Sequence, residues 1–169
     1  MNSDRLIRTD YIQFRRTIIE DLDFVISTEQ HPDNKPFIFS WTRDKHIETI
    51  KNEDNLHVII EDKNKHKVGY IIISGLLNEN KCIELTRITI SEKGKGYGKE
   101  SIKLIQDYIF TNLNAHRIWL DVKLNNNRAK HIYESAGFRV ERIVRDIIKT
   151  EEEHESLIIM KILKEEYKR

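Results

Sequence analysis

The residues best suited to bind a phosphate group lie in the stretch ELTRITISEKGKGYGK, residues 84–99. Residues 84–90 read as an alternating strand. Three glycines and three lysines follow, and an amphipathic segment then predicts a helix that runs to about Leu113. A helix that begins after such a loop presents unpaired backbone N–H groups and the positive end of its dipole. This stretch therefore predicts a site for a phosphate-bearing ligand.

Two well-known phosphate-binding loops do not fit this spacing. A Walker A loop requires glycine where this chain has Lys93, and serine or threonine where it has Glu100. A dinucleotide fingerprint requires its third glycine at the position of Lys99, whereas Gly98 stands one residue too early. The loop therefore predicts neither a P-loop nucleotide site nor a dinucleotide fold.

The same residues resemble motif A of the GNAT superfamily of N-acetyltransferases, whose loop reads Arg/Gln-x-x-Gly-x-Gly/Ala. Here the pattern is Lys93-x-x-Gly96-x-Gly98, with lysine at the first position. A second stretch, residues 126–138, resembles the later motif of that family, Asn-x-x-Ala-x-x-x-Tyr-x-x-x-Gly-Phe. The two motifs occur in the family's order, and the flanking residues are similar to the branch of spermidine and ribosomal-protein-type acetyltransferases.

The resemblance implies that acetyl-CoA is the cosubstrate, and it assigns residues to the binding of that molecule. The backbones of Ile88, Thr89 and Ile90 would pair with pantetheine, and one of their N–H groups would polarise the acetyl carbonyl. Asn126 would contact the pantetheine or acetyl region and is also a typical helix N-cap. Lys130 and Arg128 are candidates for the 3′-phosphate. The loop residues predicted to surround the phosphates are Lys93, Gly94, Lys95, Gly96, Tyr97, Gly98 and Lys99.

Glu84 and Tyr133 are the candidate catalytic residues. An alkyl ammonium of pKa near ~10 is only about one part in a thousand neutral at pH 7, whereas an α-amino group near ~8 needs less help. By the family pattern, Glu84 stands where several members carry a catalytic base, and it is expected to share a strand face with Thr86, Ile88 and Ile90. Glu84 would act directly or through a water, and Tyr133 would protonate the departing thiolate. The alternatives are a solvated glutamate at a strand start and an aromatic residue on an apolar helix face.

The acceptor amine is less well defined by the sequence. A polyamine would suit an acidic site. Candidates are Glu151 to Glu153 and the acidic residues near the N-terminal helices, namely Glu20, Asp21, Asp23, Glu29 and Asp33. Trp41, Phe37 and Phe39 are candidates for the acceptor wall. The alternative for all three is the core, which is favoured for Phe37 and Phe39. His46 and His131 are expected on helix surfaces, and no metal is predicted because the histidines lack a ligand spacing.

Composition excludes several classes of protein. The chain has 29 basic and 28 acidic residues, a net charge of +1, which argues against a nucleic-acid partner. Its single cysteine, Cys82, allows no internal disulfide and fits a reducing compartment. Neither a signal sequence nor an apolar run of membrane-spanning length is evident. A cytoplasmic protein with one domain over residues 1–169 is predicted, and the resembling family makes a homodimer possible.

The order of the predicted elements indicates a mixed α/β fold. Strands are expected at residues 11–15, 56–61, 68–73, 84–90, 117–122, 138–148 and 156–162, and helices at 18–29, 42–50, 97–113 and 126–136. The spacing of Thr17 and Glu20 predicts a capping box at the first helix. The resemblance implies a central sheet of about seven strands with helices on both faces. It also implies that the fourth and fifth strands splay apart around the pantetheine arm.

The sequence therefore predicts an acetyl-CoA-dependent N-acetyltransferase in which a primary amine attacks directly in a ternary complex. A polyamine-like amine and a protein or peptide α-amino group are the alternative acceptors. The alternative function is a non-catalytic CoA-binding regulatory or interaction module, and the presence of Glu84, Asn126 and Tyr133 argues against it.

Overall fold

The computed structural model describes residues 5–167, which form one eight-stranded sheet and four α-helices. The strands are β1 (Arg5–Arg8), β2 (Ile12–Arg16), β3 (Asn55–Asp62), β4 (Lys67–Ser74), β5 (Cys82–Ile90), β6 (Arg117–Lys123), β7 (Arg139–Lys149) and β8 (His154–Leu163). The helices are α1 (Leu22–Gln30), α2 (Arg43–Lys51), α3 (Tyr97–Asp107) and α4 (Asn127–Ser135). The last turn of the predicted third helix is a π-turn, Tyr108–Asn112.

The sheet has the order β1-β2-β3-β4-β5-β6-β8-β7. Only β5 and β6 pair in parallel among the strands of residues 5–167, and all other neighbours are antiparallel. The predicted mixed α/β sheet is confirmed, with eight strands rather than seven. The additional strand is β1, whose four residues are too few to show a period. The predicted fourth and fifth strands are therefore β5 and β6.

The predicted helices on both faces of the sheet are confirmed by two hydrophobic cores. On β3, Val58 and Ile60 point into the larger core, to which α3 contributes Ile102 and Ile105. The intervening Ile59 points the opposite way, into a smaller core with residues of α1 and α2. This alternation follows the two-residue period of a strand that is buried on both faces. No helix within residues 5–167 is both long enough and apolar enough to cross a membrane.

The start of α1 differs from the predicted capping box. A 3₁₀ turn, Ile19–Asp21, precedes the helix, and the carboxylate of Asp21 accepts the Ile18 N–H at 2.9 Å. The hydroxyl of Thr17 instead contacts Nδ1 of His57 at 2.8 Å. The acidic side chain one residue beyond the predicted Glu20 therefore satisfies the backbone at this helix entrance.

Asp21 also ties this entrance to the sheet. Its buried carboxylate lies 2.7 Å from Arg15 Nη1 on β2 and 2.9 Å from Lys67 Nζ on β4. Burial alone would raise the pKa of Asp21, but hydrogen bonds from Arg15, the Ile18 N–H and Lys67 together lower that pKa to about 2. The ionised form of Asp21 thus stabilises the fold at neutral pH.

We expect Asp21→Asn to lower the free energy of unfolding by about 2 kcal/mol at pH 7, because Arg15 and Lys67 lose their shared partner. The folded-state pKa lies below the ordinary value, so this loss must shrink as pH falls from about 4 towards about 2. Urea unfolding at pH 7 and at pH 3 measures both effects. Asp23→Asn is the matched control, since Asp23 pairs with Arg43 at the surface and should cost under about 0.5 kcal/mol. Equal losses for the two variants would contradict the assignment.

Candidate active site

Strands β5 and β6 pair over only three residues and then separate. The pairs are Cys82 with Arg117, Ile83 with Ile118, and Glu84 with Trp119. Beyond Glu84, β5 follows β4 while β6 stays paired with β8. The separation confirms the predicted splay and leaves a cavity of about 580 Å³. Its lining comes from β5, α3, α4 and the segment after α1, and includes Asn34, Phe37, Ile88, Thr89, Ile90, Lys93, Gly98, Asn126, Arg128 and Tyr133.

A β-bulge at Thr86 divides β5 into two parts with opposite orientation. Ile72 pairs with Arg87 but Ile73 pairs with Leu85, so Thr86 is an extra residue on this strand. Residues Ile88 and Ile90 consequently pack on the larger core with α3, like Leu85. Glu84 lies on the opposite face. The expectation that Glu84 shares a face with Ile88 and Ile90 is therefore wrong, because the inserted residue changes the phase of the alternation.

The backbone of β5 offers hydrogen-bonding groups to the gap at alternate residues. The Ser91 N–H donates to the Val68 carbonyl of β4 at 2.8 Å. Thr89 lies two residues earlier and opposite Tyr70, so its N–H and carbonyl also face β4. The backbone groups of Ile88 and Ile90 then face the gap, and Asn34 Nδ2 donates to the Ile90 carbonyl at 3.2 Å. The pantetheine pairing predicted for three residues is thus retained for Ile88 and Ile90.

The glycine loop leads directly into the N-terminus of α3. Gly94 and Gly96 have φ angles of +83° and +81°, a region that side chains other than glycine rarely adopt. A Cβ atom at either residue would meet nothing within 4 Å, so there is open space beside both glycines of the loop. Gly96 precedes α3 and supplies no side-chain cap to the first N–H groups of the helix. These features fit the phosphates of the predicted cosubstrate.

The basic residues near the loop differ in position. Lys93 lines the cavity, and burial followed by the charge of Arg128 lowers its pKa. Lys95 is exposed and pairs with Glu92 at 2.7 Å. Lys99 is exposed on the first turn of α3. On α4, Lys130 lies 3.8 Å from Glu134 and is not part of the cavity lining, whereas Arg128 is.

Tyr97 contributes its backbone rather than its ring to this loop. The ring is buried and stacks on Tyr11, with ring centroids 5.1 Å apart. The hydroxyl of Tyr11 in turn donates to the Lys95 carbonyl at 2.5 Å. These contacts hold the loop against the turn between β1 and β2 that carries Tyr11.

Asn126 and Tyr133 occupy the opposite wall of the cavity. The Asn126 side-chain oxygen accepts the Ala129 N–H at 3.2 Å, which confirms the predicted N-cap of α4. The Tyr133 ring packs edge-on against Phe138, with centroids 5.8 Å apart. Burial, with a smaller contribution from the charge of Asp121, raises the pKa of Tyr133. Its phenol therefore remains protonated at neutral pH, as a proton donor must.

Glu84 lies at the last β5–β6 pair, where the gap begins. Its side chain is half-buried, and burial followed by the negative charge of Asp121 raises its pKa. A raised pKa makes a carboxylate a stronger base near neutral pH. Glu84 thus lies where the two strands begin to separate, and the direction of its pKa shift is compatible with the predicted base.

A buried polar network that the sequence did not reveal supports the other face of β5. Glu29 is 1% exposed. Its Oε2 accepts hydrogen bonds from Arg87 Nη1 at 2.9 Å and from the Trp41 N–H at 3.1 Å. Its Oε1 contacts His46 Nε2, and His46 Nδ1 lies 3.0 Å from His57 Nε2. Burial, together with the charges of His46 and Arg87, lowers the pKa of His57 to about 3. The network joins α1, α2, β3 and β5.

Two expectations for single side chains are wrong here. His46 was expected on a helix surface and is fully buried, because α2 turns it towards Glu29 and His57. Phe39 was expected in the core and is 52% exposed, while Phe37 lines the cavity. Trp41 lies between two cations, 4.8 Å from Arg87 and 5.3 Å from Lys45. His131 is exposed, as predicted.

The acidic residues predicted near the N-terminal helices are mostly occupied by other contacts. Asp21 is paired with Arg15 and Lys67, Asp23 with Arg43, and Glu29 with Arg87. Asp33 lines the cavity.

The splayed parallel strands and the glycine loop at the N-terminus of α3 are features that can be compared with known protein families. The chain belongs to the acetyltransferase (GNAT) family, whose model matches residues 22–138.

Individual relatives include enzymes named for spermidine. The spermidine N(1)-acetyltransferase of Vibrio cholerae serotype O1 is 35% identical over 81 residues, which cover 47% of each chain. The enzyme of the same name from Escherichia coli K12 is 31% identical over 99 residues, 58% of this chain and 51% of that one. The chain spans about half the length of these curated relatives.

Solved structures extend the likeness over the whole fold. The crystal structure of the Vibrio cholerae spermidine N-acetyltransferase in complex with CoA and spermine has a TM-score of 0.83 and 24% identity. The match covers 94% of this chain and 99% of that one. The fold is therefore that of the GNAT acetyltransferases.

We expect Glu29→Gln to lower the free energy of unfolding by about 3 kcal/mol, because it leaves the half-buried Arg87 guanidinium without its carboxylate. Glu20→Gln removes an exposed carboxylate at the other end of α1 and should change stability by less than about 0.5 kcal/mol. Urea denaturation of the two variants beside the wild type measures the difference. A loss of under about 1 kcal/mol for Glu29→Gln would show that the network contributes little.

Proposed function

We propose that the protein is an acetyl-CoA-dependent N-acetyltransferase that acts on a primary amine. The observation that carries this proposal is the cavity beside β5, which joins the glycine loop, the gap-facing backbone of β5 and Tyr133. The curated relatives named as spermidine N-acetyltransferases support the same reaction. A polyamine is one acceptor that these names suggest, and a peptide α-amino group is the other that the sequence suggests.

The residues around the cavity fit the parts of acetyl-CoA. The first N–H groups of α3, with Lys93, suit the pyrophosphate, and Arg128 is placed for the 3′-phosphate. The gap-facing N–H and carbonyl groups of Ile88 and Ile90 suit the amides of pantetheine, in the manner of an added strand. When bound, the cosubstrate supplies a thioester carbonyl as the acetyl donor.

In the proposed reaction, Glu84 removes a proton from the ammonium of the acceptor, directly or through one water. The amine nitrogen then forms a bond to the thioester carbonyl carbon. A gap-facing N–H of β5 stabilises the negative charge that develops on the carbonyl oxygen.

Tyr133 completes the transfer on the other side of the gap. As the carbon–sulfur bond breaks, its phenol donates a proton to the thiolate, and the products are an acetamide and the free thiol. The nitrogen loses its second proton as the carbonyl re-forms, and a proton returns from solvent to Tyr133. Glu84 releases the first amine proton to solvent, so one proton is released in each cycle.

We expect Glu84→Gln and Tyr133→Phe each to lower kcat by about 10²-fold or more. In the wild type, kcat/KM should rise with pH through the raised pKa of Glu84, because the base works only when ionised, and Glu84→Gln should remove that limb. Mass-spectrometric detection of acetylated amines with varied pH measures both effects. Glu79→Gln, an exposed residue of the β4–β5 turn, is the control. Binding of acetyl-CoA without acetylation of any amine would instead support a non-catalytic CoA-binding module.

Arg128 and Lys130 provide a matched pair for the adenosine end. We expect Arg128→Ala to raise the Kd for CoA about tenfold, because a charge-assisted contact to phosphate is lost. Lys130→Ala should change it by less than about twofold, since that side chain turns to Glu134. Calorimetry with CoA and dephospho-CoA measures this difference, and only CoA should respond to Arg128→Ala. A larger effect at Lys130 would return the phosphate contact to that residue.

A further inference from the structure

The connection between α1 and α2, residues 31–42, forms one side of the cavity. It contains a 3₁₀ turn, Lys35–Phe37. Five of its residues contribute to the cavity lining: Pro32, Asp33, Asn34, Phe37 and Ile38. We call residues 31–42 the bridging segment, because side chains from both splayed strands hold it.

The two strands hold the bridging segment by its backbone carbonyls. Arg87 of β5 donates to the Phe39 carbonyl at 2.6 Å, and Lys123 of β6 donates to the Pro36 carbonyl at 3.0 Å. Lys123 Nζ also lies 5.0 Å from the Phe39 ring. One cation from each strand thus fixes the segment across the gap.

Asn34 adds a contact from the bridging segment to the backbone of β5. Its Nδ2 donates to the Ile90 carbonyl at 3.2 Å and to the Thr28 carbonyl, in the last turn of α1, at 2.9 Å. Both hydrogens of the side-chain amide are thereby used. The amide therefore takes a place beside Ile90 that a peptide group of a neighbouring strand would otherwise take.

The main chain of Asn34 is fixed as well. Its N–H donates to the His31 carbonyl at 2.9 Å, and its carbonyl accepts the Phe37 N–H at 2.9 Å. The residue is 5% exposed. Because the backbone and both amide hydrogens are held, the position of the side-chain oxygen is set before a ligand arrives, and little entropy is lost when one binds.

The side-chain oxygen of Asn34 has no hydrogen-bond partner within residues 5–167. It does not belong to the buried polar atoms that are sealed from solvent without a partner in that range. Since the residue is otherwise buried and lines the cavity, this oxygen meets solvent through the cavity. A carbonyl oxygen accepts hydrogen bonds and cannot donate them, so the ligand group that fits is an N–H or O–H.

The position of Asn34 along β5 indicates which part of a ligand meets its oxygen. Its partner Ile90 stands six residues beyond Glu84, roughly 20 Å along an extended strand. Ile90 also stands three residues before Lys93 of the glycine loop. In the proposed function the amine reacts near Glu84 and the phosphates lie at the loop. The pantetheine arm of CoA, which carries amide N–H groups, would pass between them.

We propose that Asn34 Oδ1 accepts a hydrogen bond from an amide N–H of the pantetheine arm, while Nδ2 holds the Ile90 carbonyl. The inference rests on the proposed function and deepens it, because it assigns a donor-site residue that lies outside both sequence motifs. Asn34 also belongs to the bridging segment. Bound CoA would therefore contact the segment that Arg87 and Lys123 fix across the gap.

The first test separates the pantetheine arm from the rest of the molecule. CoA and 4′-phosphopantetheine carry the arm, whereas adenosine 3′,5′-bisphosphate carries only the nucleotide end. Asn34→Ala should raise the Kd for the first two about fivefold, the effect of one lost hydrogen bond, and should change the third by less than about twofold. Calorimetry, with displacement of CoA for the two fragments, measures these constants. Asn64→Ala, an exposed residue of the β3–β4 turn, is the matched control.

Three results of this test overturn the proposal. They are an equal loss for all three compounds, an unchanged Kd for 4′-phosphopantetheine in Asn34→Ala, and no binding of 4′-phosphopantetheine by the wild type.

The second test asks whether Asn34 acts only by holding the bridging segment. Lys123→Met releases the Pro36 carbonyl and leaves Asn34 in place, so it should keep the Kd for 4′-phosphopantetheine within about twofold of the wild type. If Lys123→Met weakens that binding as much as Asn34→Ala does, a loosened segment explains both losses, and the contact between Asn34 and the ligand is refuted.

The two levels of inference fail in different ways. If CoA and 4′-phosphopantetheine bind in an Asn34-dependent manner but no amine is acetylated, the proposed acetyl transfer fails and the pantetheine contact stands. If amines are acetylated and Asn34→Ala binds both compounds like the wild type, the contact fails and the acetyltransferase stands.

Discussion

The separation of β5 from β6 after only three residue pairs is the constraint on which the rest of the site depends. Parallel strands normally continue side by side because unpaired backbone groups are costly. Here each strand keeps a partner on its other edge, β4 for β5 and β8 for β6, so the sheet remains intact although the edges that face each other do not pair beyond Glu84. The free edge of β5 can pair with an extended ligand, and α3 and α4 start where phosphates and a thioester would lie.

The buried network around Glu29 gives the acceptor side its rigidity. A carboxylate, a guanidinium and two imidazoles within the protein must satisfy one another, since the loss of water is expensive for each of them. Their contacts connect four elements: α1 through Glu29, α2 through His46, β3 through His57 and β5 through Arg87. The same guanidinium holds the carbonyl of Phe39. The position of the segment that bridges the gap is therefore set by groups well below the surface.

Much of the fold and the donor half of the site could be predicted from local signals. Neighbouring residues in the sequence determine the strand alternation, the glycine loop and the Asn126 cap. Each of these predicted elements is present in the structure. The bulge at Thr86 could not be predicted, because it depends on how β4 pairs with β5. Nor could the burial of His46, since a histidine between a lysine and an isoleucine on an amphipathic helix gives no sign of a distant Glu29.

The bulge in β5 has an implication for how such a protein can diversify. By reversing the facing of the strand at one residue, it places Glu84 and Arg87 on one side of the sheet and Ile88 and Ile90, which pack with α3, on the other. Substitutions at Glu84 or Arg87 leave the packing of Ile88 and Ile90 on α3 untouched. If the proposed reaction is correct, a lineage with this strand could exchange one acceptor for another while the opposite face stays unaltered, because a single inserted residue places the two sets of side chains on different faces.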